Sequence, residues 1–286
     1  MRKILLPLLL MVCSLAGLAQ KAQKKFDRAY QMMDDEKYDS ALYLFTSIYN
    51  RGIGAPALIA KSYYNIGVIY LELKDSANAK RIFTNIIQSD FDDRDRGGIG
   101  EGLMAEPYAL YKNRSCNILA IMAVEEKDYA KALKYIEMAD KEYPYVHFCG
   151  NEYAANDIYM ATMYAKCYAG LGDIDRALKT LMPHCINNGL ASNSYLVEQL
   201  CSLLKQKYTK EEIKQQVNAA ISGVYVKETK HPYYTDSAYC AKIFNTEFKL
   251  GNYSYYYDYK RAANFNGIEL YREQLKESEF VKKLLQ

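Results

Sequence analysis

Apolar residues recur at helical spacing through most of this chain. Tyr63, Ile66, Gly67 and Tyr70 fall at i, i+3, i+4 and i+7, one face of a helix. After the polar pair Lys74-Asp75 the same period resumes with Ala79, Ile82, Phe83, Ile86 and Ile87. Two amphipathic helices joined by a short polar turn predict an antiparallel pair. The pattern then repeats. Gly67, Tyr70, Ala79 and Phe83 are matched at the same offsets by Ala120, Ala123, Ala132 and Ile136, and again by Ala165, Tyr168, Ala177 and Leu181. The turn keeps its form as Lys74-Asp75, Lys127-Asp128 and Gly172-Asp173. Small residues such as Gly67 and Ala79 let two backbones approach, and Tyr70 and Phe83 fill the space beside them. Repetition of this kind predicts a stacked helical array, a surface for holding something rather than a catalytic pocket.

These residues resemble the tetratricopeptide repeat. Residues 113–146 fit well, with Leu119, Ala120, Ala132, Ile136, Ala139 and Pro144 and the turn Lys127-Asp128-Tyr129. Residues 158–190 match at Tyr164, Ala165, Tyr168, Ala177 and Leu181; residues 60–93 carry the pair described above. Residues 22–55 match at Ala29, Ala41 and Phe45, with Tyr38 in the turn. The repeats therefore span 22–190. The resemblance implies an all-α fold, a right-handed α-α superhelix (a TPR-like solenoid). The signature alanines Ala41, Ala79, Ala132 and Ala177 are 38, 53 and 45 residues apart, so the spacing is irregular. Pro56–Lys61, Leu103–Lys112 and Glu152–Asp157 are helix-compatible and predict lengthened first helices. Arg94–Gly102 holds four glycines in nine residues and predicts an exposed loop.

Beyond residue 190 the repeat signature fades, and residues 191–286 read as a degenerate helix pair followed by a C-terminal cap, a helical C-terminal extension. Leu196, Val197, Leu200, Leu203 and Leu204 share a helix face, and Thr209 with Glu212 forms a capping box for a second helix buried at Ile213, Val217, Ala220 and Ile221. Val224–Val226 and Ile243–Leu250 are rich in β-formers, separated by His231-Pro232 and Thr235-Asp236, and a small β-hairpin fits them. Tyr239, Ile243 and Leu250 also sit near a helical period. Gly267–Leu285 reads as a helical cap.

Residues 1–19 read as a secretory signal peptide. Arg2 and Lys3 precede an apolar run from Ile4 to Leu18, and Gly17-Leu18-Ala19 offers a cleavage site with a mature start at Gln20. That run is shorter than the ~20 apolar residues a membrane span needs. No later segment is long enough to cross, so the expected location is the periplasm or the envelope surface. Six cysteines remain after cleavage at irregular spacing, and buried free thiols are favoured over a disulfide framework.

The chemistry is sparse. A net charge of +3 argues against nucleic acid. His147, His184 and His231 share no metal spacing, and His184 reads as a structural histidine. There is no G-x-S-x-G, no phosphate-binding loop and no Cys/His cluster, so no cofactor, metal or catalytic residue is assigned. Asp90–Glu101 fails as a calcium loop because Arg94 and Asp95 take its fifth and sixth positions.

The resemblance implies a concave groove lined by first helices: Phe26, Tyr30 and Met33; Tyr64, Val68 and Leu71; Asn117, Ile121 and Val124; Thr162, Lys166 and Ala169. These residues are either such a groove, suited to a peptide or partner helix, or core covered by neighbouring segments. The family's carboxylate-clamping positions correspond to Phe26, Tyr30, Tyr64, Val68, Asn117 and Ile121, where only Asn117 has the right chemistry. The expected function is a non-enzymatic scaffold for protein–protein interaction. One alternative is a carbohydrate-uptake-associated binding accessory using Tyr233, Tyr234 and the tyrosines of 253–259. Another is an enzyme using the C-terminal hundred residues.

Overall fold

A computed structural model describes residues 19–52, 54–95, 106–186, 191–232, 235–252 and 267–286. The chain packs as two units, Met1–Ala123 with Lys134–His147, and Val124–Leu133 with Phe148–Gln286. Most of the signal-like segment, the glycine loop from residue 96 on, and the tyrosines at 233–234 and 253–259 lie outside the described residues.

The first unit contains α1 (19–34), α2 (Tyr38–Arg51), α3 (Pro56–Glu72), α4 (Ser76–Gln88) and most of α5 (Tyr111–Glu125) and α6 (Tyr129–Lys141). Its core joins Phe26, Ala29, Ala41, Phe45, Ile69, Ala79, Phe83, Cys116 and Leu119. Helices α3 and α4 pack as the antiparallel pair that the 60–93 pattern predicts. Gly67 is needed where they cross: a Cβ there would lie 2.8 Å from Phe83 Cζ. The signature alanines Ala41, Ala79, Ala132 and Ala177 are all fully buried.

The repeated turn has a local cause. Lys74, Lys127 and Gly172 each hold positive φ, at 57°, 59° and 84°, which ends the preceding helix in the left-handed region. The aspartate that follows caps the next helix. Asp75 accepts from the Asn78 N–H at 3.1 Å, Asp128 from Lys131 at 3.1 Å and Asp173 from Arg176 at 3.0 Å.

Two of the expected helix extensions are present, since α3 starts at Pro56 and α7 covers Gly150–Gly170. The third is not: α5 begins at Tyr111, and residues 106–110 are non-helical. Pro107 disfavours helix at Glu106, and Leu110 sits at φ 51°. The Asp93 carboxylate, from the preceding loop, accepts the Lys112 and Asn113 N–H groups at 2.7 and 3.0 Å. The helix starts where this distant cap binds.

The second unit carries α7, α8 (Ile174–Leu181), a 3₁₀ turn (Met182–His184), α9 (Ser194–Lys207), α10 (Lys210–Ser222), three strands, α11 (Gly267–Glu277) and α12 (Glu279–Leu285). Pro183 explains why the second helix of this repeat stops at Leu181 and tightens. The capping box forms as expected: Glu212 accepts the Thr209 N–H at 2.8 Å, and Thr209 accepts the Glu212 N–H at 3.3 Å.

The sheet is larger than a hairpin. Strands β1 (Tyr225–Lys230), β2 (Thr235–Ile243) and β3 (Thr246–Asn252) run antiparallel in the order β1-β2-β3. Thr235-Asp236 begins β2 rather than making a turn. Ile243–Leu250 is not one strand; it folds back at Phe244-Asn245, with φ of 47° and 64°. Positive φ at both central residues is the twist a two-residue hairpin turn needs. Tyr239, Ala241, Ile243, Phe248 and Leu250 face a core shared with Leu196, Leu200, Leu204, Val217 and Phe280. The tail is helical, and α12 is capped by Ser278 and buries Phe280, Val281 and Leu284.

Candidate functional site

The first-helix positions of the first unit divide by depth. Phe26 on α1 is 6% exposed, its ring edge-on to Phe45 at 5.3 Å. Tyr64 on α3 is 7% exposed, edge-on to Phe83 at 5.7 Å and tilted against Tyr111 at 5.4 Å. Burial raises the Tyr64 hydroxyl pKa, opposed by the Arg114 guanidinium. Both rings are built into the core. One turn on, Tyr30 is 38% exposed, stacked against Phe26 at 6.2 Å. On α5, Ile121 is 41% exposed, while Val68 on α3 is half-buried. Asn117 is half-buried too; its amide donates to Asn113 Oδ1 at 3.1 Å, and Asn113 donates to the Ala139 and Tyr143 carbonyls at 3.1 and 2.7 Å. Asn117 is thereby engaged in tying α5 to the end of α6.

A concave pocket of about 210 Å³ opens on this unit, lined by Phe26, Leu58, Lys61, Asp95, Ala109 and Tyr111 among others. It is predominantly apolar with one cation and one anion. The Lys61 ammonium lies 5.7 Å above the Phe26 ring, a cation–π position. Of the residues expected from sequence, only Phe26 lines it. Lys61 and Tyr111 were not singled out: Lys61 precedes Tyr64 by less than a turn and reads as a solvated charge, and Tyr111 stands at a helix start set by a remote residue. The Tyr111 hydroxyl is pushed up first by burial, with Asp95 adding to it.

In the second unit, Thr162 is 6% exposed and its hydroxyl donates to the Ile158 carbonyl at 2.8 Å, a bond within its own helix. Lys166 is half-buried, and its ammonium lies 3.5 Å from the Tyr195 hydroxyl. His184 is half-buried in the 3₁₀ turn; burial lowers its pKa, opposed by Asp157.

Among the described residues the cysteines are unbridged and, Cys149 apart, buried. Burial pushes the Cys116 thiol up to about 12, and Cys167 and Cys201 up to about 11. Such thiols are poor nucleophiles near neutral pH. Among the described residues, no cluster of three or more His, Cys, Asp or Glu is placed to hold a metal, and no helix is long and apolar enough to cross a membrane.

Antiparallel helix pairs, crossing at small residues and joined by left-handed-residue-plus-aspartate turns, define a helical-repeat protein. Residues 60–93 match the tetratricopeptide repeat model. The chain thus carries a tetratricopeptide repeat at these residues, and a small three-stranded sheet near its C-terminus. Among solved structures it is similar to the MamA RS-1 ArsTM double mutant, at 11% identity and a TM-score of 0.47 over 67% of this chain and 88% of that one. It is also similar to MamA AMB-1, at 11% identity and a TM-score of 0.41 over 65% of this chain and 82% of that one. A third similarity is to BtubC (BKLC) from P. vanneervenii, at 12% identity and a TM-score of 0.42 over 77% of this chain and 94% of that one. No curated protein matches the sequence.

Proposed function

We propose that this chain is an exported, non-enzymatic scaffold that binds a protein partner on the first-helix face of its first unit. The observation that carries the reading is the mixed burial of that face. Phe26 and Tyr64 stiffen it from beneath, Tyr30 and Ile121 stay in solvent at 38% and 41% exposure, and a pocket beside Phe26 carries Lys61. Exposed aromatic and aliphatic side chains on a rigid support suit protein recognition. The non-enzymatic reading is supported by buried, high-pKa thiols and by the lack of any catalytic motif in the sequence. Export rests on the N-terminal sequence, whose charged start, apolar run and small-residue site suit a signal peptide in the periplasm or at the envelope surface.

The test is a pull-down from an envelope extract with wild type against Tyr30→Ala/Ile121→Ala, two changes that leave the core intact. Loss of the captured partners with an unchanged circular dichroism spectrum supports the reading. Equal capture refutes the face. N-terminal sequencing of the protein recovered from its native cell tests export: a start at Gln20 supports it, and an intact Met1 in the cytoplasmic fraction refutes it.

A further inference from the structure

The second unit holds a larger pocket, of about 430 Å³, between α8, the end of α9 and the β2–β3 turn. Its floor is Leu178, Met182 and Leu204, all buried, and its aromatic wall is Tyr208 and Phe244, whose rings stack at 4.0 Å and 16°. Asp175, Lys179 and Glu247 line it as well. The charges are not equivalent. Asp175 is paired with Lys207, and Glu247 with Lys227 and the Tyr225 hydroxyl. The Lys207 ammonium also lies 5.3 Å over the Tyr208 ring, filling the cation–π position there. Among the described residues Lys179 has no ion-pair partner. Both acids are neutralised from within, and the charge left over is positive. An incoming cation would have to displace Lys207 or Lys227; an anion meets Lys179 directly.

A second observation concerns Phe244. It holds φ 47°, a region bulky L-residues avoid and glycine or asparagine fills at no cost. The turn alone would select against phenylalanine. It is held by its N–H donating to Gln216 Oε1 at 3.1 Å and by its stack on Tyr208. Outliers of this kind gather where a site needs a particular side chain in place.

We propose that this pocket binds a small amphipathic carboxylate, its apolar body against Tyr208 and Phe244 and its charge on Lys179. The volume suits a ligand of that size. The carboxylate is either a free organic acid or an acidic side chain beside an apolar residue in a peptide. Calorimetric titration of the full chain with 3-phenylpropionate, with the dipeptide acetyl-Phe-Glu-amide, and with neutral 3-phenylpropanamide separates these sources. Saturable binding of at least one acid is expected, weakened tenfold or more in Lys179→Met and in the neutral amide, and kept in Lys179→Arg. Phe244→Gly relieves the backbone and is expected to stay folded while losing the ligand; if it unfolds, Lys179→Met decides. Tighter binding of the free acid or of the dipeptide names the source. The proposal is overturned if neither acid binds saturably, if the amide binds as well as the acid, or if Lys179→Met binds unchanged.

Discussion

Replacing Gly67 by alanine sets two known effects against each other. Glycine within a helix costs about 1 kcal/mol relative to alanine, so propensity alone predicts that Gly67→Ala stabilises. The crossing predicts the opposite. The new methyl would sit 2.8 Å from Phe83 Cζ, 2.9 Å from Phe83 Cε1 and 3.0 Å from Ile82 Cγ2. Phe83 has no exposed surface, and its ring is held edge-on by Tyr64 at 5.7 Å, so it cannot swing aside. Helices α3 and α4 must then move apart by several tenths of an ångström, and overpacking of this kind costs roughly 1–3 kcal/mol. The clash outweighs propensity, and the expected net is a loss of about 1 kcal/mol from these two terms. Urea unfolding followed at 222 nm reads it as a lower midpoint with an unchanged slope. The cause is isolated by adding Phe83→Leu. The double variant should recover the propensity term, giving a favourable coupling of about 1 kcal/mol or more in the mutant cycle. A Gly67→Ala protein more stable than wild type, or an additive cycle, would refute close packing at this crossing.

Three further outcomes follow from the same structure. Lys127→Gly, and separately Lys74→Gly, should raise the unfolding free energy by about 0.5–1 kcal/mol each, read as a higher urea midpoint, because glycine takes the positive φ of these turns at little cost. Asp93→Ala should lose about 1–3 kcal/mol, measured by the same unfolding, since it leaves the Lys112 and Asn113 N–H groups without their acceptor. Stability should fall as pH rises from about 9 toward 11: the folded Cys116 thiol titrates near 12, above its unfolded value, so the unfolded chain ionises first and is favoured across that window. A Cys116→Ala protein whose midpoint falls just as steeply over that range would remove Cys116 from the explanation.

What could be read from sequence was what has a local cause. The lysine-or-glycine-then-aspartate turn was legible because its two residues do separate jobs at adjacent positions, a left-handed stop and a cap. The capping box at Thr209 was legible for the same reason. The third strand was missed because the β2–β3 turn is built from Phe244 and Asn245, without a glycine to mark it, and Phe244 is kept there by Gln216 and Tyr208. The start of α5 was missed because its cap, Asp93, lies some twenty residues upstream. In both cases the deciding partner is distant along the chain, and no window of local pattern contains it.

The candidate site failed to be legible in a different way. Periodicity says which face of a helix a residue occupies, not how deep that face lies. Phe26 and Tyr30 share the face of α1, yet one is 6% and the other 38% exposed, and the Phe45 ring packs on the first at 5.3 Å. Phe26 and Tyr64 are therefore support for a surface rather than the surface itself, which is why a truncation at Tyr64 would confound binding with folding while one at Tyr30 would not. In a repeat array the core positions recur and so announce themselves, whereas binding positions are set by which side chains the neighbouring helices leave uncovered. That remainder is a property of packing. It places the weight of any functional test on Tyr30, Ile121 and Lys61, of which sequence had singled out the first two but not the third.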